Sequence, residues 1–496
     1  MTIRRAAFGL ALTAAIAVTG ALITPVAHAA PADDWEQQRV DFNNDGYQDA
    51  VVGAPAGTVT GHKGAGYVTV VYGASGGTNS GSLDPTAHAV ISQKTAGIPG
   101  TPEDGDAFGA STVALDLNGD PYTDLVIGIP GEDIGTAVNS GAATILWGSQ
   151  QGLVKATSLA AEEIPGAALG TKLVTGDFTG DGKPELAAFN STDGARLYSG
   201  IGQDGSVAHE SALGLPYEQW GSVFAKDLAA GDVTGDGVDD LVVIVQDTDE
   251  PDSLRAGLLR GSADGLVFAG TLKGPGSGRF GGEHVAVGDL NGDGYADVVI
   301  GHAFDGYDSD IDLPTKGGAL AVAYGGPGGQ STTVKPVWIN QDTPGVPGVG
   351  EYGDYMGLSL AVGDINSDGY GDVVTGVPYE TIDGVTAAGS VLVLKGGASG
   401  LTGTGAKVFS QATTGVPGVI EKNDRFGRTV TLVGAFRGHN AEVVVGDPDE
   451  NAGNGAVWVV RSNSGGPNPS NTISFSPGTV GAPASAARFG ASLSHR

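Results

Sequence analysis

Residues 289–301 read DLNGDGYADVVIG. Carboxylates stand at loop positions one (Asp289), five (Asp293) and nine (Asp297), an amide at three (Asn291), glycines at four and six, and an apolar run follows. Oxygens at alternate positions of a tight turn are how a short loop wraps a hard cation, and Val-Val-Ile closed by glycine has the composition of a buried strand. The segment is a turn leading into a strand, and it recurs. DFNNDGYQDAVVG starts at Asp41, DLNGDPYTDLVIG at Asp116, DFTGDGKPELAAF at Asp177, DVTGDGVDDLVVI at Asp232 and DINSDGYGDVVTG at Asp364, with a decayed copy, AFRGHNAEVVVG, at Ala435. Successive starts lie 55 to 75 residues apart, and self-similarity at such spacing marks a repeat architecture.

Other features keep phase with the acidic loop. Eight or nine residues before it stands a large apolar residue, usually with glycine: Phe108-Gly109, Leu169-Gly170, Phe224-Ala225, Phe280-Gly281, Met356-Gly357 and Phe426-Gly427. After it comes a Gly-x-Pro turn, as in Gly53-Ala54-Pro55, Gly128-Ile129-Pro130, Gly376-Val377-Pro378 and Gly446-Asp447-Pro448. A further strand follows at 67–72, 143–147, 319–324 or 391–394, closed by a glycine-rich turn, and residues 465–471 read as a loop. Each unit thus holds several short strands, about one four-stranded sheet. The 86 Gly and 25 Pro among 496 residues argue against helices, so the fold class is all-β. Seven units fit a closed seven-bladed β-propeller better than a linear solenoid, because a ring leaves few exposed edges. The first unit lacks its Phe-Gly segment and the chain carries an orphan one, Phe489-Gly490-Ala491-Ser492-Leu493, so the C-terminal segment is expected to complete the first blade.

The combination Phe-Gly, Asp-x-Asn-x-Asp-Gly and Gly-Ala-Pro resembles the FG-GAP repeats of the integrin α-subunit N-terminal β-propeller. The resemblance covers residues 30–496 as a single domain. It implies seven blades, calcium in the acidic loops of some of them, and longer inter-strand loops on the face opposite the calcium loops.

The residues themselves nominate up to six calcium sites. The ligand sets are Asp41, Asn43, Asp45, Tyr47 and Asp49; Asp116, Asn118, Asp120 and Asp124; Asp177, Thr179, Asp181 and Glu185; Asp232, Thr234, Asp236 and Asp240; Asp289, Asn291, Asp293, Tyr295 and Asp297; Asp364, Asn366, Asp368, Tyr370 and Asp372. The tyrosines would contribute position-seven carbonyls, and a mixed oxygen cage suits calcium better than magnesium. The same acids also suit Asx-turns without metal. Threonine at Thr179 and Thr234 is a poorer ligand than asparagine. Pro121 replaces the position-six glycine of the Asp116 loop, where a positive φ is expected that proline cannot adopt. The Ala435 loop has lost its acids.

No reaction is nominated. Ser75 sits in a Gly-x-Ser-x-Gly match, but the same place in other repeats is a turn after a strand, no helix follows, and no catalytic residue is assigned. There is no cysteine, and the formal charge of −31 disfavours nucleic acid as a partner. Residues 1–29 have a basic head, an apolar run and an Ala27-His28-Ala29 cleavage site, the layout of a signal peptide. The expectation is a secreted product with no membrane insertion after cleavage. A binding or adhesion module recognising an extracellular protein or cell-wall glycan is the leading function, and an extracellular hydrolase or its accessory propeller is the alternative. Ligand recognition is expected in the variable loop at 302–316, on Asp305, Tyr307, Asp308, Asp310 and Asp312.

Overall fold

The computed structural model describes residues 40–73, 82–159, 163–191, 194–213, 215, 223–247, 254–277, 280–304, 316–434 and 440–494. These form seven four-stranded antiparallel sheets arranged as a seven-bladed β-propeller, with a small extra hairpin at Gly325–Gly326 and Gly329–Gln330. The second blade is typical: Thr112–Leu115, Asp124–Ile129, Ala142–Trp147 and Lys155–Leu159 pair in chain order. The first strands of successive blades are neighbours around the ring, so they line its axis. The signal-peptide segment lies outside the described residues.

Apolar runs rather than strict alternation mark the second and third strands because both faces of each sheet are covered. Val51 points toward the second blade, where it joins Leu125 and Ile127. Its neighbours Ala50 and Val52 point the other way, into a cluster with Val444 and Val457 of the last blade. The same division repeats at every interface, so each pair of adjacent blades shares one apolar core. Outermost strands such as Val207–Ala212 are largely exposed, matching their polar composition.

The Phe-Gly and Gly-x-Pro elements meet where blades touch. A Cβ on Gly53, Gly128, Gly376 or Gly446 would run into the carbonyl oxygen of Gly109, Gly170, Gly427 or Gly490 on the neighbouring blade, which is why glycine is needed there. A hydroxyl two residues after the Phe-Gly glycine donates to the next of these carbonyls: Ser111 to Gly170, Ser359 to Gly427, Thr429 to Gly490 and Ser492 to Gly109.

The last two of those bonds close the ring. Ser492–Leu493 pairs with Ala50–Ala54, and the backbone N–H of Ser494 bonds Val51 O at 3.0 Å, so the C-terminal segment supplies the first blade's innermost strand. One expectation is corrected. Residues 465–471 are not a loop: all but Gly465 belong to the strand Gly466–Phe475, which folds back on Ala456–Asn463 through Asn463↔Gly466 and Ser462↔Pro467.

Candidate metal centres

Each of the six acidic loops leads into the second strand of its blade, so all six lie on one face of the ring. Backbone conformation explains their spacing. Position four has a positive φ in every loop (Asn44, Gly119, Gly180, Gly235, Gly292, Ser367), and position six has one wherever it is glycine. The position-six N–H then bonds the position-one carboxylate, as from Gly46 to Asp41 at 3.0 Å and Gly294 to Asp289 at 2.9 Å. Pro121 has no N–H to give, and Asp116 instead accepts from Asn118 and Gly119.

Position nine has a distinct task. Both oxygens of Asp49 accept backbone bonds, from Phe42 and from Gly73 across the blade. Asp124, Asp297 and Asp372 repeat this with Leu117 and Gly148, Leu290 and Gly325, Ile365 and Gly396. Burial, the dominant influence, pushes Asp49 up to about 8, Asp124, Glu185, Asp297 and Asp372 to about 7 and Asp240 to about 6. In Asp49, Asp124 and Asp297 each carboxylate oxygen accepts one of these bonds and retains a second lone pair for a cation. The loops are also joined to one another: the carbonyls of Asp41, Asp177, Asp232 and Asp289 accept from Thr123, Asp239, Ala296 and Gly371 of the following loop.

The donor set fits a hard cation best where oxygens are left without hydrogen. Asn366 turns its Nδ2 to Asp372, and its Oδ1 is buried without a hydrogen-bond partner beside the acids of that loop. Asp177, Asp181 and Glu185 bring one carboxylate oxygen each within 4.8 Å of one another, despite Thr179, whose hydroxyl donates to Glu185. The longer glutamate side chain supplies the reach. In the Asp232 loop Arg260 pairs with Asp236 at 2.7 Å and provides a positive charge from within the chain.

The proposed ligand-face residues Asp305, Tyr307, Asp308, Asp310 and Asp312 lie outside the described residues, as do Ser75 and residues 435–439. What flanks that loop is visible. Phe304 packs edge-on to Tyr355 (centroids 5.1 Å apart), Tyr355 to Tyr379 (4.7 Å), and the Arg425 guanidinium covers Tyr379 at 4.9 Å. This row crosses from the fifth blade to the seventh. A second acidic trio, Asp424, Asp447 and Glu450, was missed by the sequence reading; its signal is an aspartate at the middle of a Gly-x-Pro turn where the other copies carry Ala54, Ile129 and Val377.

A closed ring of seven blades with oxygen-rich turns on one face defines a β-propeller of the repeat-built class. The FG-GAP repeat family matches residues 40–71, 108–146, 281–322 and 356–394, and an FG-GAP-like repeat family matches 177–243 and 232–300. The chain is an FG-GAP repeat protein with an integrin-α-like propeller. It is 29% identical to integrin alpha-PS2 of Drosophila melanogaster over 226 residues, 42% of this chain and 15% of that protein. It is 31% identical to phosphatidylinositol-glycan-specific phospholipase D of Homo sapiens over 157 residues, 31% of this chain and 18% of that one. The matches thus span less than a fifth of either relative's length. Among solved structures, an exotype rhamnogalacturonan lyase aligns with a TM-score of 0.44 and 14% identity over 84% of this chain and 70% of that one. Among the described residues, no helix is long and apolar enough to cross a membrane.

Proposed function

We propose that this chain is a secreted, calcium-stabilised propeller that serves as an extracellular binding and adhesion module, with an extracellular protein or cell-wall glycan as its ligand. The observation that carries the reading is the division of labour between the two faces. One face is tied together by acidic loops of repeated geometry, while the other presents the Phe304–Tyr355–Tyr379–Arg425 row, which begins at the described edge of the 302–316 segment. Aromatic faces stack on sugars or fill a partner's pocket, and the guanidinium adds a directional donor. Secretion is supported by the layout of residues 1–29.

Bound calcium would supply positive charge to the acidic loops. Asp293 and its counterparts orient their turns by accepting the N–H of position seven, as from Tyr295 at 3.1 Å. Extracellular sites hold calcium at ~10⁻⁴ to 10⁻³ M, so at a few millimolar each filled site contributes about 1 to 2 kcal/mol. Chelation is expected to lower the melting temperature, Asp293→Ala to remove one such increment, and Asp120→Ala to remove less, given Pro121. An unchanged melting temperature after chelation would sink the calcium reading.

Binding is tested separately. The Tyr355→Ala/Tyr379→Ala variant should bind cell-wall material and secreted proteins at least tenfold more weakly than the parent, with its calcium response intact. Undiminished binding would remove this face from consideration. The second reading, an accessory propeller of a hydrolytic system, is favoured by the similarity to the phospholipase. It predicts hydrolase activity in the purified chain or in a co-purifying partner.

A further inference from the structure

The face opposite the acidic loops carries its own repeated polar arrangement. In three blades a glutamine Nε2 donates to a glutamate that follows the Gly-x-Pro turn: Gln93 to Glu132 at 2.6 Å, Gln341 to Glu380 at 2.6 Å and Gln411 to Glu450 at 3.0 Å. In the same three blades an aspartate two residues before the Phe-Gly or Met-Gly pair accepts the N–H of a glutamate: Asp106 from Glu103, Asp354 from Glu351 and Asp424 from Glu421. Each glutamine Oε1 is buried without a hydrogen-bond partner.

The seventh blade departs from the other two at the middle residue of its Gly-x-Pro turn. Where Ile129 and Val377 fill apolar space, it has Asp447, fully buried. Asp447 Oδ1 accepts the N–H groups of Asp449 and Glu450 at 3.1 and 2.9 Å, whereas its Oδ2 is buried with no hydrogen-bond partner. One carboxylate oxygen each from Asp424, Asp447 and Glu450 lies within 4.8 Å of the others. The ion pairs of Arg425 and Arg488 are made to Asp449, and Arg425 acts on Asp447 only through its field.

Three carboxylates buried together are costly unless a positive charge joins them. Ligands at 2.3–2.6 Å on opposite sides of a calcium ion stand about 5 Å apart, so the trio's oxygens lie within the span of one such ion. The donors are all oxygen, which selects a hard cation over zinc or copper. We propose that Asp424, Asp447 and Glu450, with the orphaned Gln411 Oε1 next to Glu450, form a calcium-type divalent cation site on the face opposite the acidic loops. It stands beside the ring's closing seam, where Arg488 pairs with Asp449 and its N–H bonds Gly453 O. The blade whose acidic loop has decayed therefore carries its cation on the other face.

The test is ion counting by native mass spectrometry on the folded chain equilibrated with calcium, together with melting curves. Asp447→Val copies the residue that the sixth blade already tolerates, and Glu450→Gln is a conservative second variant. Each is expected to bind one calcium fewer than the parent, while Asp293→Ala loses an ion independently. Calcium-free Asp447→Val should melt above calcium-free parent, with the gap narrowing or reversing in calcium. Equal ion counts in the parent and both variants would overturn the site, as would a stability gain from Asp447→Val that persists unchanged in saturating calcium, because a shared proton then neutralises the trio.

Discussion

Phe489→Ala should destabilise the folded chain by about 3 to 5 kcal/mol, the range for emptying a large buried aromatic site. The ring is fully buried and meets Phe475 edge-on with centroids 5.8 Å apart, inside the core shared by the first and last blades. Its own N–H bonds Asn454 O, and the following glycine bonds Gly53 O. Removing residues 487–496 takes away the same packing, the Ser492 and Thr429 clasps and the first blade's innermost strand, so that deletion should unfold at least the first and seventh blades. Val419→Ala, at a side chain 72% exposed, is the control and should stay within about 0.5 kcal/mol. Thermal or urea unfolding reads all three. If the truncated chain melts with the parent, the two ends do not close the ring.

Without calcium, the protein should lose stability as pH rises from about 5 to about 8.5. The position-nine carboxylates Asp49, Asp124, Glu185, Asp240, Asp297 and Asp372 are raised by burial to between about 6 and about 8, from ordinary values of 3.8 and 4.5. Between those limits the folded chain holds protons that the unfolded chain has released, so stability is fully present below the unfolded values and is lost as pH climbs through the folded ones. All six contributions carry the same sign, so the loss accumulates over the loops. On the proposed reading calcium would replace the proton as the neutralising charge, so the slope should flatten at saturating calcium. A calcium-free melting temperature that is level or rises across this interval would contradict the burial of these charges.

Much of this architecture could be read in advance because each repeat states its structure locally. A glycine at position six needs a positive φ, an apolar run after Asp297 needs cover on both faces, and an orphan Phe489-Gly490 needs a blade. What could not be read was the chemistry made by residues distant in sequence. Arg260 reaches Asp236 from another strand, and Asp424 meets Glu450 only because two connections of one blade fold to the same spot. The latch formed by Asp49 with Gly73 was equally hidden, since spacing reports that a carboxylate is present but not which backbone groups already occupy it. Asp447 was visible as a letter but looked like one more variable turn residue until its burial set it apart from Ala54, Ile129 and Val377.

The bond between Val51 and Ser494 joins residues 443 positions apart, and this has a kinetic meaning. Blades two to seven are each assembled from contiguous chain and can form in order as it is made. The first blade must wait, its acidic turn and three strands present but its inner edge open, until the final residues arrive. Contacts of such sequence separation form slowly because the loop-closure entropy is met before any packing is gained. Docking of residues 489–494 onto a nearly finished ring is then expected late in folding, and its rate sets how long an adhesive strand edge stays open to another molecule.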